Sequence, residues 1–187
     1  MIARSSERYS SKPGTFYYFY NIYQNVFSEI EELGHDIHFI QGMPTLNFIE
    51  ENVDQDDNST LIFDDVANYL SKGTVEIFTV LSHHYNVNVI MTAHNIFEKH
   101  KAFRDISLNS KYILLFKNPR DSSSIEIFAR QFNPWGAKSV VDIYRHATRK
   151  PCSYLLVDLA QSTPDENRLV GNIFFENGDD YIVYGGI

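Results

Sequence analysis

Several features that whole classes of protein require are scarce or missing in this chain. Its 187 residues include a single cysteine, Cys152, so no internal disulfide can form, and a zinc site would have to use histidines and carboxylates. No apolar run approaches the roughly 18 residues that a membrane-spanning helix needs, and the first residues have no apolar signal-peptide core. These absences predict an intracellular protein without a membrane partner and without redox chemistry.

A phosphate-binding loop is also missing. Nucleoside triphosphatases of the P-loop type use the pattern G-x-x-x-x-G-K-[ST], whose backbone N–H groups and lysine hold the β- and γ-phosphates. The sequence contains no Gly-Lys pair, and Lys72-Gly73 has the reverse order. These 187 residues therefore contain no Walker A segment.

The net charge of −8 at neutral pH is distributed unevenly along the chain. From Glu29 to Leu70 there are eleven Asp or Glu residues and no Lys or Arg, whereas Lys99 to Lys150 contains eleven Lys or Arg against four acids. A basic surface on an acidic protein can contact the phosphates of a nucleic acid. The alternative is that both segments are solvated helix faces that segregate by charge without a function.

The apolar pattern alternates between short strands and amphipathic helices. Six strand-like segments are separated by segments with helical spacing: TFYYFY, HDIHFIQG, STLIFDD, VNVIMTAHN, KYILLF and SYLLVDL. Near-continuous apolar strands that alternate with helices predict an α/β protein with a mostly parallel sheet and helices on both faces. We expect one domain over residues 1–187, with a poorly ordered start at 1–14 and an uncertain tail at 176–187.

Two of the predicted helices carry a clear apolar face. In NIYQNVFSEIEELG the apolar residues at helical spacing are Ile22, Val26, Phe27, Ile30 and Leu33, and Gly34 ends the helix. In GTVEIFTVLSHH, which begins at Gly73, the apolar residues Val75, Phe78 and Leu81 share a face. Both helices should pack on the sheet through these faces.

Acidic and polar side chains follow two successive strands. Asp64 and Asp65 end the apolar strand STLIFDD, and Thr92 to Asn95 end VNVIMTAHN. Because the carboxyl ends of parallel strands line the ligand crevice of an open α/β sheet, these side chains should face the same region. An apolar strand that ends in two acids is typical of a Walker B segment, in which the first acid holds Mg²⁺ and the second polarises the attacking water. The alternative is that the acids cap the next helix and that Asn95 is a turn residue.

Cationic side chains follow a further strand. KNPRD comes directly after KYILLF and places Lys117 and Arg120 at its end, where an arginine can stabilise phosphoryl-transfer charge in a neighbouring subunit. A surface turn is the alternative. Arg104 and Arg130 are further candidates, and the sequence does not rank the three arginines.

The pair His83-His84 ends the helix that begins at Gly73. The negative end of the helix dipole favours cationic histidine there, so capping is one interpretation. A metal site from His83, His84 and Asp65 is the other, and it would make the protein a hydrolase or a nuclease. Adjacent residues on a helix point about 100° apart, which disfavours joint coordination by both histidines.

The same segments carry a resemblance to a known family. Over roughly Thr15 to Phe175 the chain resembles the FtsK-HerA-like DNA-packaging ATPases of Polinton (Maverick) elements and related large DNA viruses. The blocks that carry this resemblance are YFYNIYQNVF, FIQGMP, LIFDDV, VLSHHYNVNVIMTAHNIF, RDISLNSKYILLFKNPRD, ARQFNPWG and SYLLVDLAQSTPDENRLVGNIF.

The resemblance implies a RecA-like P-loop ATPase core that assembles into a homo-oligomeric ring and threads double-stranded DNA into a capsid. ATP and Mg²⁺ would be its cofactors, and a capsid or portal protein a further partner. A viral factory, the cytoplasm or nucleus of the host, or the virion would be its location. The family's P-loop strand would lie just upstream of Met1, so the resemblance also implies an N-terminally truncated chain that is inactive alone.

Particular residues match the family's functional positions. Asp64 matches the Mg²⁺-binding Walker B acid, Asp65 the catalytic acid and Asn95 the polar sensor. His94 stands where the family often has glutamine, and it keeps a hydrogen-bonding side chain beside the nucleotide. Either Arg120 or Arg104 would be the arginine finger. Two other functions stay open: a non-catalytic remnant that binds partners, and the metal-dependent nuclease built on Asp64, Asp65 and His83.

Overall fold

The computed structural model describes residues 14–34, 36–54, 58–66, 69–81, 87–97, 101–173 and 181–185. The chain divides into two compact units, Met1–Asn109 and Ser110–Ile187, and each is described by itself. The single domain over residues 1–187 stays a prediction. The predicted poorly ordered start lies outside the described residues except for Gly14. Within the described ranges, no helix is long and apolar enough to cross a membrane.

The first unit is built on a parallel sheet of four strands in the order β2-β1-β3-β4. The strand bounds are Phe16–Tyr20 for β1, Ile37–Gln41 for β2, Thr60–Asp64 for β3 and Asn88–Met91 for β4. The helix bounds are Val26–Glu31 for α1, Leu46–Asn52 for α2, Lys72–Glu76 for α3 and Lys101–Asn109 for α4. The predicted α/β architecture with a parallel sheet is confirmed for these strands.

Helices cover both faces of this sheet. On one face the Phe27 ring of α1 lies against Tyr18, Tyr20 and Phe39, with ring centroids 4.6–5.2 Å apart. On the other face Ile49 of α2 and residues that follow α3 pack on alternate residues of the strands: Tyr17, Phe19, Leu61 and Phe63. Because β3 is covered on both sides, its first four residues are buried, which explains its continuous apolar sequence.

Two helices differ from their predicted form. The helix predicted over NIYQNVFSEIEELG is shorter, and α1 buries only Phe27, while Ile22, Val26 and Leu33 are exposed. The helix predicted from Gly73 begins as α3 and continues as a π-helical segment, Ile77–Leu81. Ser71 and Thr74 form a capping box at its start, which explains why the helix begins one residue before the glycine.

The second unit contains an antiparallel sheet in the order β5-β6-β7-β8. The strand bounds are Tyr112–Phe116 for β5, Tyr154–Asp158 for β6, Leu169–Gly171 for β7 and Ile182–Val183 for β8. Two helices lie between β5 and β6, namely α5 over Ser122–Phe132 and α6 over Ala137–Ala147. A 3₁₀ turn spans Asp165–Asn167.

The direction of the later strands corrects the sequence prediction. KYILLF and SYLLVDL do form strands, but β5 and β6 run antiparallel in a sheet of their own rather than extending the parallel sheet. An apolar pattern identifies a strand and carries no information about the direction of its neighbour. The strand β7 had no prediction, because LVG is too short to show a period of two.

Candidate functional site

The carboxyl ends of β3 and β4 lie side by side in the first unit. Phe63 pairs with Met91, so Asp64 and the residues from Thr92 onward leave the sheet at the same edge. On the other side of β3, Tyr20 of β1 pairs with Asp64. The chain leaves β1 towards β2 and leaves β3 towards β4, in opposite directions, so the ends of β1 and β3 form a topological switch point. Ligands of open α/β sheets bind at this position.

Asp64 is held by hydroxyl groups from both neighbouring strands. The Thr92 hydroxyl donates to Asp64 Oδ1 at 2.8 Å, and the Tyr18 phenol of β1 hydrogen-bonds to the same carboxylate. Burial, followed by the charge of Asp64 and this hydrogen bond, raises the pKa of Tyr18 above its ordinary value. The phenol therefore stays protonated at neutral pH and donates, while Asp64 keeps further lone pairs for a cation or water.

Asp65 occupies an unusual backbone conformation. Its φ of +52° lies in the left-handed region, which costs a non-glycine residue about 1 kcal/mol or more. Its N–H donates to Thr92 Oγ1 at 3.1 Å, which fixes the turn. As a result the side chain leaves the strand end in a different direction from Asp64, and 58% of its surface is exposed.

His94 contacts the carboxylate of Asp65. Its Nε2 lies 3.2 Å from Asp65 Oδ1, and 84% of the imidazole side chain is exposed. A pair this exposed contributes little to stability. The contact can nevertheless orient the Asp65 carboxylate, and it places His94 in the same group as the two acids, as predicted for this strand end.

Asn95 lies in the same turn, half-buried. Its Oδ1 accepts from the Phe97 N–H at 2.7 Å, the geometry of a side-chain-stabilised turn. The structure thus places Asn95 at the end of β4 together with Thr92 and His94. Its role as a sensor stays a prediction.

Two residues of the site were given no role from the sequence. Thr92 links both acids, since its hydroxyl donates to Asp64 and accepts from the Asp65 N–H, and Tyr18 supports Asp64 from the opposite side. The signal for Thr92 was a hydroxyl one residue beyond an apolar strand, next to the strand that ends in two acids. Tyr18 gave no signal, because TFYYFY contains five aromatic residues and nothing in the sequence identifies the one that contacts Asp64.

The predicted arginines belong to other elements of the chain. Arg104 is exposed on α4, whose buried side consists of Ala102, Phe103 and Ile106. Arg120 belongs to the second unit, in the turn after β5, and is exposed. Arg130 forms an exposed pair with Glu126 at 3.7 Å. The arginine finger stays a prediction for Arg104 and Arg120.

The donor set at the strand ends fits a hard divalent cation. Mg²⁺ binds through one or two carboxylates and keeps several waters or phosphate oxygens as further ligands. Asp64 and Asp65 supply such a pair. In the part of the chain that the structure describes, no three His, Cys, Asp or Glu side chains converge to enclose a metal. His83 and His84, the basis of the nuclease interpretation, lie outside the described residues.

Comparison of the chain with models of protein families, with curated protein sequences and with solved structures gave no match. The function is therefore inferred from the residues at the strand ends.

Proposed function

We propose that this chain is part of the ATPase of a DNA-packaging motor of the FtsK-HerA-like group, which couples ATP hydrolysis to translocation of double-stranded DNA into a capsid, and that the chain is inactive without a Walker A segment. One observation carries the proposal: Asp64 and Asp65 leave the end of a buried parallel strand, and Thr92 of the neighbouring strand binds both through one hydroxyl. Two acids in different orientations at a switch point suit a metal-binding role and a water-activating role.

Asp64 and Asp65 would have different roles in this reaction. Bound Mg²⁺-ATP would supply the γ-phosphoryl group and the charge that assists its transfer. Asp64, held by Tyr18 and Thr92, would bind the cation directly or through water. Asp65 is more exposed and would accept a proton from the attacking water, while its contact with His94 sets the orientation of the carboxylate. Asn95 would contact the water or the γ-phosphate from the end of β4.

The proposal also specifies the parallel sheet of the first unit as part of a RecA-like core. The order β2-β1-β3-β4 places the acidic strand between β1 and the strand that carries Thr92, His94 and Asn95. Among the described strands β4 pairs only with β3, so its outer edge can accept another parallel strand. A strand that leads into the phosphate-binding loop would occupy this edge and would be contributed from outside these 187 residues. We also propose that the chain assembles into a homo-oligomeric ring, that it binds a capsid or portal protein, and that it is located inside the cell or in the virion.

ATP turnover tests the proposal. We would express the chain with the sequence encoded directly upstream of Met1 and compare Asp65→Asn with Glu51→Gln, an exposed change on α2. Asp65→Asn should leave ATP binding intact and lower turnover by at least about 100-fold, because removing the water-activating group costs a general-base contribution of that size. Glu51→Gln should change neither. Unchanged turnover in Asp65→Asn would remove Asp65 from the catalytic role. If the upstream sequence contains no phosphate-binding loop and the longer protein does not hydrolyse ATP, these results would favour the non-catalytic binding protein.

A further inference from the structure

A group of exposed cations lies at one end of the second unit. Its members, named here the basic end, are Lys117, Arg120, Arg149 and Lys150. Phe116 pairs with Tyr154, so the turn after β5 and the segment before β6 meet at this edge of the sheet. The Tyr144 hydroxyl of α6 donates to the Phe116 carbonyl at 2.9 Å and accepts from the Asn118 N–H at 3.1 Å. These bonds hold the turn after β5 against α6, and Arg149 and Lys150 follow the end of this helix.

The acids nearby in sequence are engaged elsewhere. Residues 110–150 contain three of them. Asp121 caps α5 by accepting from the Ser124 N–H at 3.1 Å, and the other two form helical ion pairs, Glu126 with Arg130 and Asp142 with Arg145. Among the described residues, the structure records no ion pair between an acid and any cation of the basic end.

Asp158 and Asp165 lie towards the opposite end of the strands. Asp158 pairs with Tyr112 at the start of β5, and its carboxylate accepts from Thr163 at 2.8 Å. Asp165 is bound by Arg168 at 2.8 Å. Among the described residues of the second unit, four cations therefore lie at one end of the β5-β6 pair and Asp158 lies at the other. Glu176, Asp179 and Asp180, in the connection between β7 and β8, lie outside the described residues.

We propose that the basic end binds the phosphate backbone of double-stranded DNA. Duplex DNA carries a negative charge about every 1.7 Å of its axis, so four long cations at one end of a unit can each reach a phosphate, and the two guanidinium groups can bind in a bidentate manner. This inference rests on the proposed function for the identity of the nucleic acid. It assigns Arg120 to DNA contact instead of the arginine finger.

The experiment measures affinity for a fluorescently labelled 20-base-pair duplex by anisotropy, without nucleotide, over a range of salt concentrations. Four phosphate contacts predict a slope of about −3 to −4 for log K against log salt. The triple variant Lys117→Gln, Arg120→Gln, Lys150→Gln should reduce the steepness of this slope by about 3 and weaken binding at least tenfold at low salt. All three side chains are exposed, so the variant should fold normally, as circular dichroism would verify.

A matched control separates position from total charge. Lys111→Gln, Arg130→Gln, Lys138→Gln removes the same three charges from the same unit: Lys111 precedes β5, and the other two lie near the turn that joins α5 to α6, away from the basic end. This control should retain the slope and at least half of the affinity. Equal loss in both variants, or no duplex binding by the wild-type chain, would overturn the inference.

Failure of this inference can be distinguished from failure of the proposed function. DNA binding that depends on the basic end, with Asp65→Asn having no effect on turnover, would retain the surface and reject the ATPase mechanism. A duplex affinity that is unchanged in the triple variant would reject DNA binding by the basic end without contradicting the ATPase mechanism. Two further results would reject it: turnover lost in Arg120→Gln with DNA affinity unchanged, or self-association lost in the triple variant with DNA affinity unchanged. The second would identify the partner as the acidic surface of another copy of the chain.

Discussion

The two units of the chain differ in sheet direction and in charge. Residues 14–109 contain fourteen acids and four Lys or Arg, and their parallel sheet brings two acids to one edge, beside a neighbouring strand end. The second unit, residues 110–187, contains nine Lys or Arg and nine acids, and an antiparallel pair brings four of these cations to one end. In both units function is expected where strands end, because the chain there leaves the packed sheet and its polar side chains can reach solvent.

The largest expected effect comes from replacing one phenylalanine by alanine in each of the two sheets, which compares how tightly the two sheets are packed. Phe63 of β3 is fully buried and lies 5.1 Å from the Phe19 ring and 5.4 Å from the Phe78 ring, between centroids. Phe63→Ala should lower the free energy of unfolding by about 3–5 kcal/mol. Phe116→Ala in β5 should cost less than about 1 kcal/mol, because the Phe116 side chain is 55% exposed. Hydrogen exchange followed by mass spectrometry should show faster exchange in β1 to β4 for the first variant only; equal effects would contradict the assignment of the core.

The next effect concerns the link between the two strand ends. Thr92→Val keeps the shape of the side chain but removes the donor to Asp64 and the acceptor for the Asp65 N–H, so it should cost about 1–2 kcal/mol and shift the Asp65 amide resonance. Thr92→Ser keeps the hydroxyl and should restore both. An Asp65 amide resonance that does not respond to Thr92→Val would show that the hydroxyl does not hold the turn.

A pH effect is expected from Tyr18. Burial and Asp64 raise its pKa in the folded state above the ordinary value of 10.0, so the unfolded chain loses this proton first as pH rises. The stabilisation is fully present below pH 10 and should be lost as pH increases above it. Denaturant unfolding of wild type and Tyr18→Phe at pH 8 to 11.5 should show the difference in stability shrinking only above about pH 10. A constant difference over this range would contradict the raised pKa.

The smallest effect concerns the ion pairs of the second unit. Arg130 and Glu126 are 68% and 50% exposed at a separation of 3.7 Å. Arg130→Gln should change the free energy of unfolding by less than about 0.5 kcal/mol, as is typical of solvated pairs. A loss of more than about 1 kcal/mol in thermal or denaturant unfolding would mean that the cations of this unit serve its stability.

The sequence predicts the first unit better than the second, for physical reasons. Continuous apolar strands separated by helices indicate a parallel sheet, and the adjacency of Asp64 and Asp65 is visible without a structure. The bridging role of Thr92 depends on the register between β3 and β4, and the left-handed backbone at Asp65 depends on the turn that this register creates. No residue pattern reveals them.

Strand direction is the property that the sequence hides in the second unit. KYILLF and SYLLVDL satisfy the same apolar pattern whether they run parallel or antiparallel, and the two helices between them are long enough for either connection. The position of the basic end depends on this direction, since antiparallel pairing is what brings the turn at Lys117 beside the segment at Lys150. A parallel pair would have separated them.

The most direct test of the proposed function is to locate the binding site of a divalent cation on the acidic first unit. Manganese, added as a paramagnetic substitute for Mg²⁺, should selectively broaden the backbone amide resonances of Asp64 to Val66 and of Thr92 to Asn95, and Asp64→Asn should abolish this broadening. Broadening centred instead on the acids of α1 or α2, or unchanged by Asp64→Asn, would show that the strand ends are not a metal site and would contradict the proposed function.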